Sequence, residues 1–312
     1  MSDDHSHHAH HHGSASRRAL LLALGLTLGY SGVEALAGWW SGSLALLGDA
    51  AHMLTDSLAL GLAAGAALMA TRPPSLRHSY GYGRLETLAA LVNALIMIAL
   101  VAAICAEAVD RILSPRPVVG EAVAGVAIAG LVVNLIAAWL LSSGKENLNV
   151  RAALLHVMGD LLGSVAALVS GIVIVWTGWT TVDPILSLII AVLILFSSLG
   201  ILREALHALM EGVPTHLDLD EIGHALAQIE GIRGVHDLHI WSLSAERTAL
   251  SAHLLIGEIG TWPDVLRLAN QLLQERFAIV HSTLQPEPVE QLVPLEQIRP
   301  LASCPEAQAP PG

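Results

Sequence analysis

Residues 46–60, LLGDAAHMLTDSLAL, set His52 and Asp56 four positions apart in an otherwise apolar run. At that interval two side chains share one face of a helix, their Cβ atoms roughly 6 Å apart. The pattern recurs in residues 147–164, NLNVRAALLHVMGDLLGS, which carry His156 and Asp160. An aspartate near the middle of a bilayer costs on the order of 3 kcal/mol on insertion scales, so such pairs among Leu, Ala and Val call for a partner. A lone histidine on an apolar helix is ordinarily a satisfied core residue; two copies of one pair in two spans weaken that explanation. Two imidazoles and two carboxylates facing each other make a four-ligand N/O site of the kind that holds tetrahedral Zn2+. The two carboxylates would neutralise a divalent ion, which makes the loaded site tolerable in a low dielectric.

The surrounding chain is suited to lipid. Of its 312 residues 54% are hydrophobic and 13% charged, with a mean hydropathy of +0.61, whereas a soluble domain is about a quarter charged. Six apolar segments, approximately 19–40, 43–70, 88–109, 122–141, 152–176 and 184–202, are each long enough to cross a hydrocarbon core of about 30 Å. If they alternate, Arg17, Arg18, Arg72, Arg77, Arg84, Lys145, Arg151 and Arg203 fall on one side, and Arg111 and Arg116 on the other. The positive-inside rule then puts both termini in the cytoplasm. The spacing of Gly25/Gly29 and Gly61/Gly65 would let the first two helices approach neighbours closely.

From about Met210 the composition becomes that of a small soluble domain. Helix 217–230, strands 235–243 and 248–256, helix 263–276 and strand 278–284 give an αββαβ order. The expected fold is therefore a polytopic α-helical membrane protein, six transmembrane helices followed by a small cytoplasmic α+β ferredoxin-like domain. Its divisions are a His-rich flexible arm (1–16), a transmembrane transport domain (17–209), a metal-binding domain (210–290) and a disordered Pro-rich tail (291–312). The arm holds six histidines between His5 and His12, interrupted by Ser6 and Ala9 as an expression tag ordinarily is not, and reads as a metal-collecting segment.

Several function classes are disfavoured. A net charge of −12 without a basic run argues against nucleic acid. Two cysteines, Cys105 in an apolar span and Cys304 in the tail, build neither a disulfide framework nor an all-cysteine zinc site. No H-E-x-x-H occurs, and four protein ligands leave no position for an activated water, so an intramembrane metalloprotease is not expected. No enzyme activity or catalytic cofactor is implied.

Imidazole favours Zn2+ over Mg2+ or Ca2+, and the same donors also suit Cd2+, Co2+ or Ni2+. Metal binding requires deprotonated histidine, so a site alternating between two faces would couple metal moving one way to protons moving the other. Asp49, seven residues before Asp56, is an outer waystation, a helix-packing group or a surface residue. Tyr30, Glu34, Asn93 and Asn134 are further polar groups in the spans, read as interhelical hydrogen-bonding or path-lining residues rather than direct ligands.

Taken with RHSYGYGRLETLAALVNA (77–94) and GVHDLHIWSLS (234–244), the two motifs resemble the cation diffusion facilitator family, in particular its zinc-transporting branch. The resemblance runs from about Arg17 to Glu287. It implies homodimeric assembly and Zn2+/H+ antiport, with His52, Asp56, His156 and Asp160 at the transport-site positions. Some bacterial relatives bind a second metal in the loop between the second and third helices through an Asp and two His. Here only His78 matches, Ser75 and Tyr82 standing at the other positions. The resemblance also implies cytoplasmic ligands at His236, His253 and His281. Thr283 stands where some relatives have Asp, leaving Glu287 or a water to complete the shell. Strand alternation puts His236 and His239 on opposite faces unless the strand bends.

The expected function is export of Zn2+, and of Cd2+, across a bacterial cytoplasmic (inner) membrane in exchange for protons. A channel or uptake carrier would use the same ligands, but a closed four-ligand site suits alternating access better than rapid conduction. A membrane-anchored metal sensor would account for the cytoplasmic histidines but not for the paired motif.

Overall fold

The computed structural model describes residues 9–142, 148–244 and 247–289. It divides into two compact units, Met1–Leu206 and His207–Gly312. The first contains α1 (Ala9–Ser41), α2 (Leu44–Ala70), α3 (Arg84–Leu113), α4 (Gly120–Ser142), α5 (Leu148–Thr177) and all but the last three residues of α6 (Val182–Leu209). Among the described residues five helices, α2 to α6, are long and apolar enough to cross a membrane. The apolar run expected as a further span, 19–40, lies within α1. That helix starts at Ala9, so His10 to Ser16, assigned above to a flexible arm, are helical: a long helix extends cheaply once nucleated. Residues 1–8 and the tail 291–312 lie outside the described residues.

Small residues set the packing. Ala45 and Leu46 of α2 meet Val123 and Ala127 of α4 and Ala167 of α5 in one buried layer. Ala23 of α1, Ala137 and Leu141 of α4 and Val157 of α5 form another. A third joins Leu44 of α2 to Val101, Ile104 and Ala108 of α3 and Ala191 of α6. The close crossings are not where Gly25/Gly29 and Gly61/Gly65 suggested: a Cβ at any of those four would meet nothing within 4 Å. They fall at Gly171, where a Cβ would lie 2.5 Å from the Ala124 amide nitrogen, and at Gly38, 2.9 Å from that of Leu47.

The second unit comprises α7 (Leu219–Ala227), β1 (Ile232–Ser244), β2 (Arg247–Ile256), α8 (Trp262–Phe277) and β3 (His281–Pro288), the expected αββαβ order. The sheet order is β1-β2-β3, with β1 and β2 antiparallel and β2 and β3 parallel. Ile222 and Leu226 of α7 and Val265, Ala269 and Leu273 of α8 pack on Ile240, Leu250, Leu254 and Ile256 of the sheet as a single core. β3 starts three residues later than expected. Ala278 caps α8 in the left-handed conformation (φ 56°), turning the chain before it can extend.

Candidate metal sites

Asp49, His52 and Asp56 are spaced i, i+3 and i+7 along α2 and so follow one face. His52 Nε2 lies 3.5 Å from Asp56 Oδ2, each side chain about four-fifths buried. The second pair is on α5: Asp160 is 3% exposed, and His156 stands one turn before it, its side chain outside the described part. The two helices meet at Gly163, where an added Cβ would lie 2.7 Å from Asp49 Oδ1. Glycine there lets the carboxylate lie against the α5 backbone, three residues beyond Asp160, and the two aspartates are close enough for their charges to interact. The α2 and α5 motifs are thus on neighbouring helices that the fold packs together.

Two more helices close this layer. Tyr30 and Glu34 of α1 lie against Gly130 of α4, where a Cβ would come within 3.0 Å of Glu34 Oε1. The Tyr30 hydroxyl donates to the Val126 carbonyl. One turn after Gly130, the Asn134 amide donates to Ser164 Oγ on α5 at 3.1 Å. Glu34 and Asn134 are each 1% exposed, and Glu34 is within electrostatic reach of Asp49 and Asp160.

The helix bearing His52 is also held at its start. Asp183, fully buried at the start of α6, accepts from the Ser43 hydroxyl and the Leu44 amide, both at 2.6 Å, and from Ser170 of α5 at 3.1 Å. A carboxylate at a helix N-terminus meets unpaired amides and the positive end of the dipole. The spans 152–176 and 184–202 leave Asp183 in the loop between them; Ser43 before an apolar run marks the α2 cap but not its partner.

In the second unit His236 and His253 are directly opposed on β1 and β2, their rings edge to face with centroids 5.2 Å apart. Glu287 on β3 bridges them. His236 Nε2 donates to one carboxylate oxygen at 2.8 Å and His253 Nδ1 to the other at 2.7 Å. One donor atom from each of the three lies within 4.8 Å of the others, a nitrogen, nitrogen and oxygen set fitting a zinc ion with bonds of about 2.0–2.2 Å. The His236 hydrogen bond, with that of His253, holds the Glu287 carboxyl below its ordinary range.

The structure does not bring His281 to this group. Parallel pairing sets His253 beside Gln285 and His281 beside Ala249, four residues back and about 13 Å along the strand. Between His236 and His239 the β1 register slips by one residue, with Asp237 at φ 50°. That bulge is the bend that strand alternation required for both histidines to share one face. Asp237, which sequence reasoning passed over, then lies 3.6 Å from His253 Nε2 and accepts from His239 Nε2 at 2.9 Å. The His239 contact holds its carboxyl below the usual range. His78, in the loop after α2, stacks on Tyr82 with centroids 4.7 Å apart and belongs to no ligand group among the described residues.

Residues 20–210 match the cation efflux transmembrane domain, and residues 214–289 the cytoplasmic domain of cation efflux proteins. The chain is 42% identical over 291 residues to the zinc transporter ZitB of Escherichia coli (strain K12), covering 92% of this chain and 93% of that protein. It is 39% identical over 286 residues to the cadmium, cobalt and zinc/H(+)-K(+) antiporter of Bacillus subtilis (strain 168), covering 90% and 91%. The solved metal-bound C-terminal domain of the CzcD transporter from Cuprividus metallidurans is 32% identical, covers 23% of this chain and 99% of that one, and has a TM-score of 0.22. With its paired intramembrane motifs and apolar helices, this chain belongs to the cation efflux family of integral membrane transporters.

Proposed function

We propose that the protein exports Zn2+, and also Cd2+, from the cytoplasm in exchange for protons, through a tetrahedral site of His52, Asp56, His156 and Asp160 that opens alternately to the two faces. The observation that carries this reading is the His52–Asp56 pair at 3.5 Å on α2, beside an α5 that bears the same motif with Asp160 buried. Imidazole plus carboxylate selects Zn2+ over oxygen-seeking Mg2+. The names of the relatives, a zinc transporter and a cadmium, cobalt and zinc antiporter, support the same cargo and exchange. The chain works as a homodimer in a bacterial inner membrane with both termini in the cytoplasm. His236, His253 and Glu287 form a regulatory site that senses cytoplasmic Zn2+.

The test is Zn2+ flux into proteoliposomes under an imposed pH gradient, comparing the native chain with Asp56→Ala. Flux that follows the proton gradient and vanishes in the variant supports antiport through the paired motif. Flux indifferent to pH assigns a channel or uniporter. Zn2+ binding without flux assigns a sensor.

A further inference from the structure

The transport quartet leaves part of its layer unexplained. Glu34 Oε2, Asp49 Oδ2 and Asn134 Oδ1 are buried and have no hydrogen-bond partner among the described residues. With both carboxyls ionised all three are acceptors, so they cannot satisfy one another without an added proton or cation. Asn134 points its amide nitrogen from α4 to Ser164, next to the Gly163 that Asp49 covers, while Glu34 covers Gly130 one turn earlier on α4. The amide therefore lies in the same layer as the two carboxylates. No Lys or Arg occurs on α1 after Arg18, anywhere on α2 or α4, or on α5 after Arg151. Among the described residues the titratable groups that face the cluster are Tyr30 of α1 and Asp160 of α5, with His52 three residues from Asp49 on the same face of α2, and α4 contributes none. With no Lys or Arg at hand among the described residues, and His52 beside Asp56 at 3.5 Å, buried acceptors that carry or share negative charge need positive charge from outside the chain.

We propose that Glu34, Asp49 and Asn134 form a second intramembrane cation site, all oxygen, that holds the counter-cation when the His/Asp quartet is without metal. Oxygen donors without imidazole suit a hard cation, a proton or an alkali ion, rather than Zn2+. Asp160 belongs to the quartet and stands three residues before the Gly163 that Asp49 covers, so a cation in one site weakens binding of a cation in the other, and the coupling is reciprocal. The assignment rests on the exchange reading above for its role, but the site itself can be tested without any flux.

The full-length chain in detergent is loaded with Zn2+ and then stripped by a chelator. One arm, in alkali-free weak buffer with a pH indicator, counts protons taken up; the other, at fixed pH, counts retained 86Rb+. In one arm Glu34→Gln and Asp49→Asn each take up about one cation fewer than the native chain. The arm in which the difference appears identifies proton or alkali ion. Equal uptake by native and variants in both arms overturns the site. So does a tenfold or greater loss of Zn2+ affinity in Glu34→Gln, which would assign that residue to the metal quartet. Gel filtration checks folding, and should Glu34→Gln fail it, Asp49→Asn and Asn134→Ala carry the same comparison. Absent flux in proteoliposomes with the uptake difference intact sinks the exchange reading and leaves the site standing.

Discussion

Asp183 accepts a hydrogen bond from the Ser43 hydroxyl at 2.6 Å, so the start of α6 and the cap of α2 are one unit. Its second oxygen takes the Leu44 amide at the same distance. Hydrogen bonds to a charged group are worth about 1.5–3 kcal/mol each, and truncation would strand the donors of Ser43, Leu44 and Ser170. Asp183→Ala should therefore lower the thermal aggregation midpoint in detergent more than Asp183→Asn, which keeps an acceptor. Equal midpoints for the two variants would show that the contact contributes packing alone.

Gly163→Ala tests the contact between α2 and α5. The new methyl would sit 2.7 Å from Asp49 Oδ1, nearer than real Cβ atoms approach, so the carboxylate or the helices must shift. Overpacking of this kind costs about 1–3 kcal/mol. A displaced Asp49 face also moves His52 and Asp56. Zn2+ flux in proteoliposomes should fall about tenfold or more while the chain stays monodisperse. Gly61→Ala, whose Cβ would meet nothing within 4 Å, is the matched control and should transport normally.

How far the chain was legible depends on whether a feature is local. His52–Asp56 and His156–Asp160 were readable because i,i+4 spacing is a property of one helix, and length with apolarity marked the spans. What escaped depends on neighbours. Gly25/Gly29 and Gly61/Gly65 look like crossing motifs, yet the crossings use Gly38 and Gly171, because helix rotation decides which small face meets a partner. Asp183 lies 140 residues from the Ser43 hydroxyl it accepts, so no local pattern announces it. The His281 expectation came from the resemblance, which does not fix the register of β3. The parallel register sets His253 beside Gln285 and His281 beside Ala249, so Glu287, the other expected member, reaches the two histidines and His281 does not.

That difference gives a direct comparison in the second unit. With the membrane motif disabled by Asp56→Ala and Asp160→Ala, and the six histidines between His5 and His12 replaced by alanine, remaining Zn2+ binding should be lost on His253→Ala and retained on His281→Ala. His253 is the shared element, joined to Glu287 at 2.7 Å and within 3.6 Å of Asp237. Isothermal titration of the full chain reads both. Loss of binding in His281→Ala would mean that β3 shifts register when metal binds.

The pH response of the same cluster follows from Glu287. Its carboxyl is held below its ordinary value by the His236 hydrogen bond, supported by that of His253. A carboxyl depressed in the folded state contributes stability that is fully present above the unfolded value, about 4.3, and is lost as pH falls through the lower folded value. In metal-free buffer the native chain should therefore unfold at a higher temperature than Glu287→Gln at neutral pH. The gap should persist down to about the ordinary carboxylate range and close only in stronger acid. Zn2+ binding should fail earlier on the same descent, because metal must displace protons from both imidazoles whereas the hydrogen-bonded pair does not. The two curves, thermal unfolding without metal and Zn2+ affinity against pH, must separate in that order. If both fell together near neutrality, Glu287 would be a ligand with no structural share in the metal-free sheet.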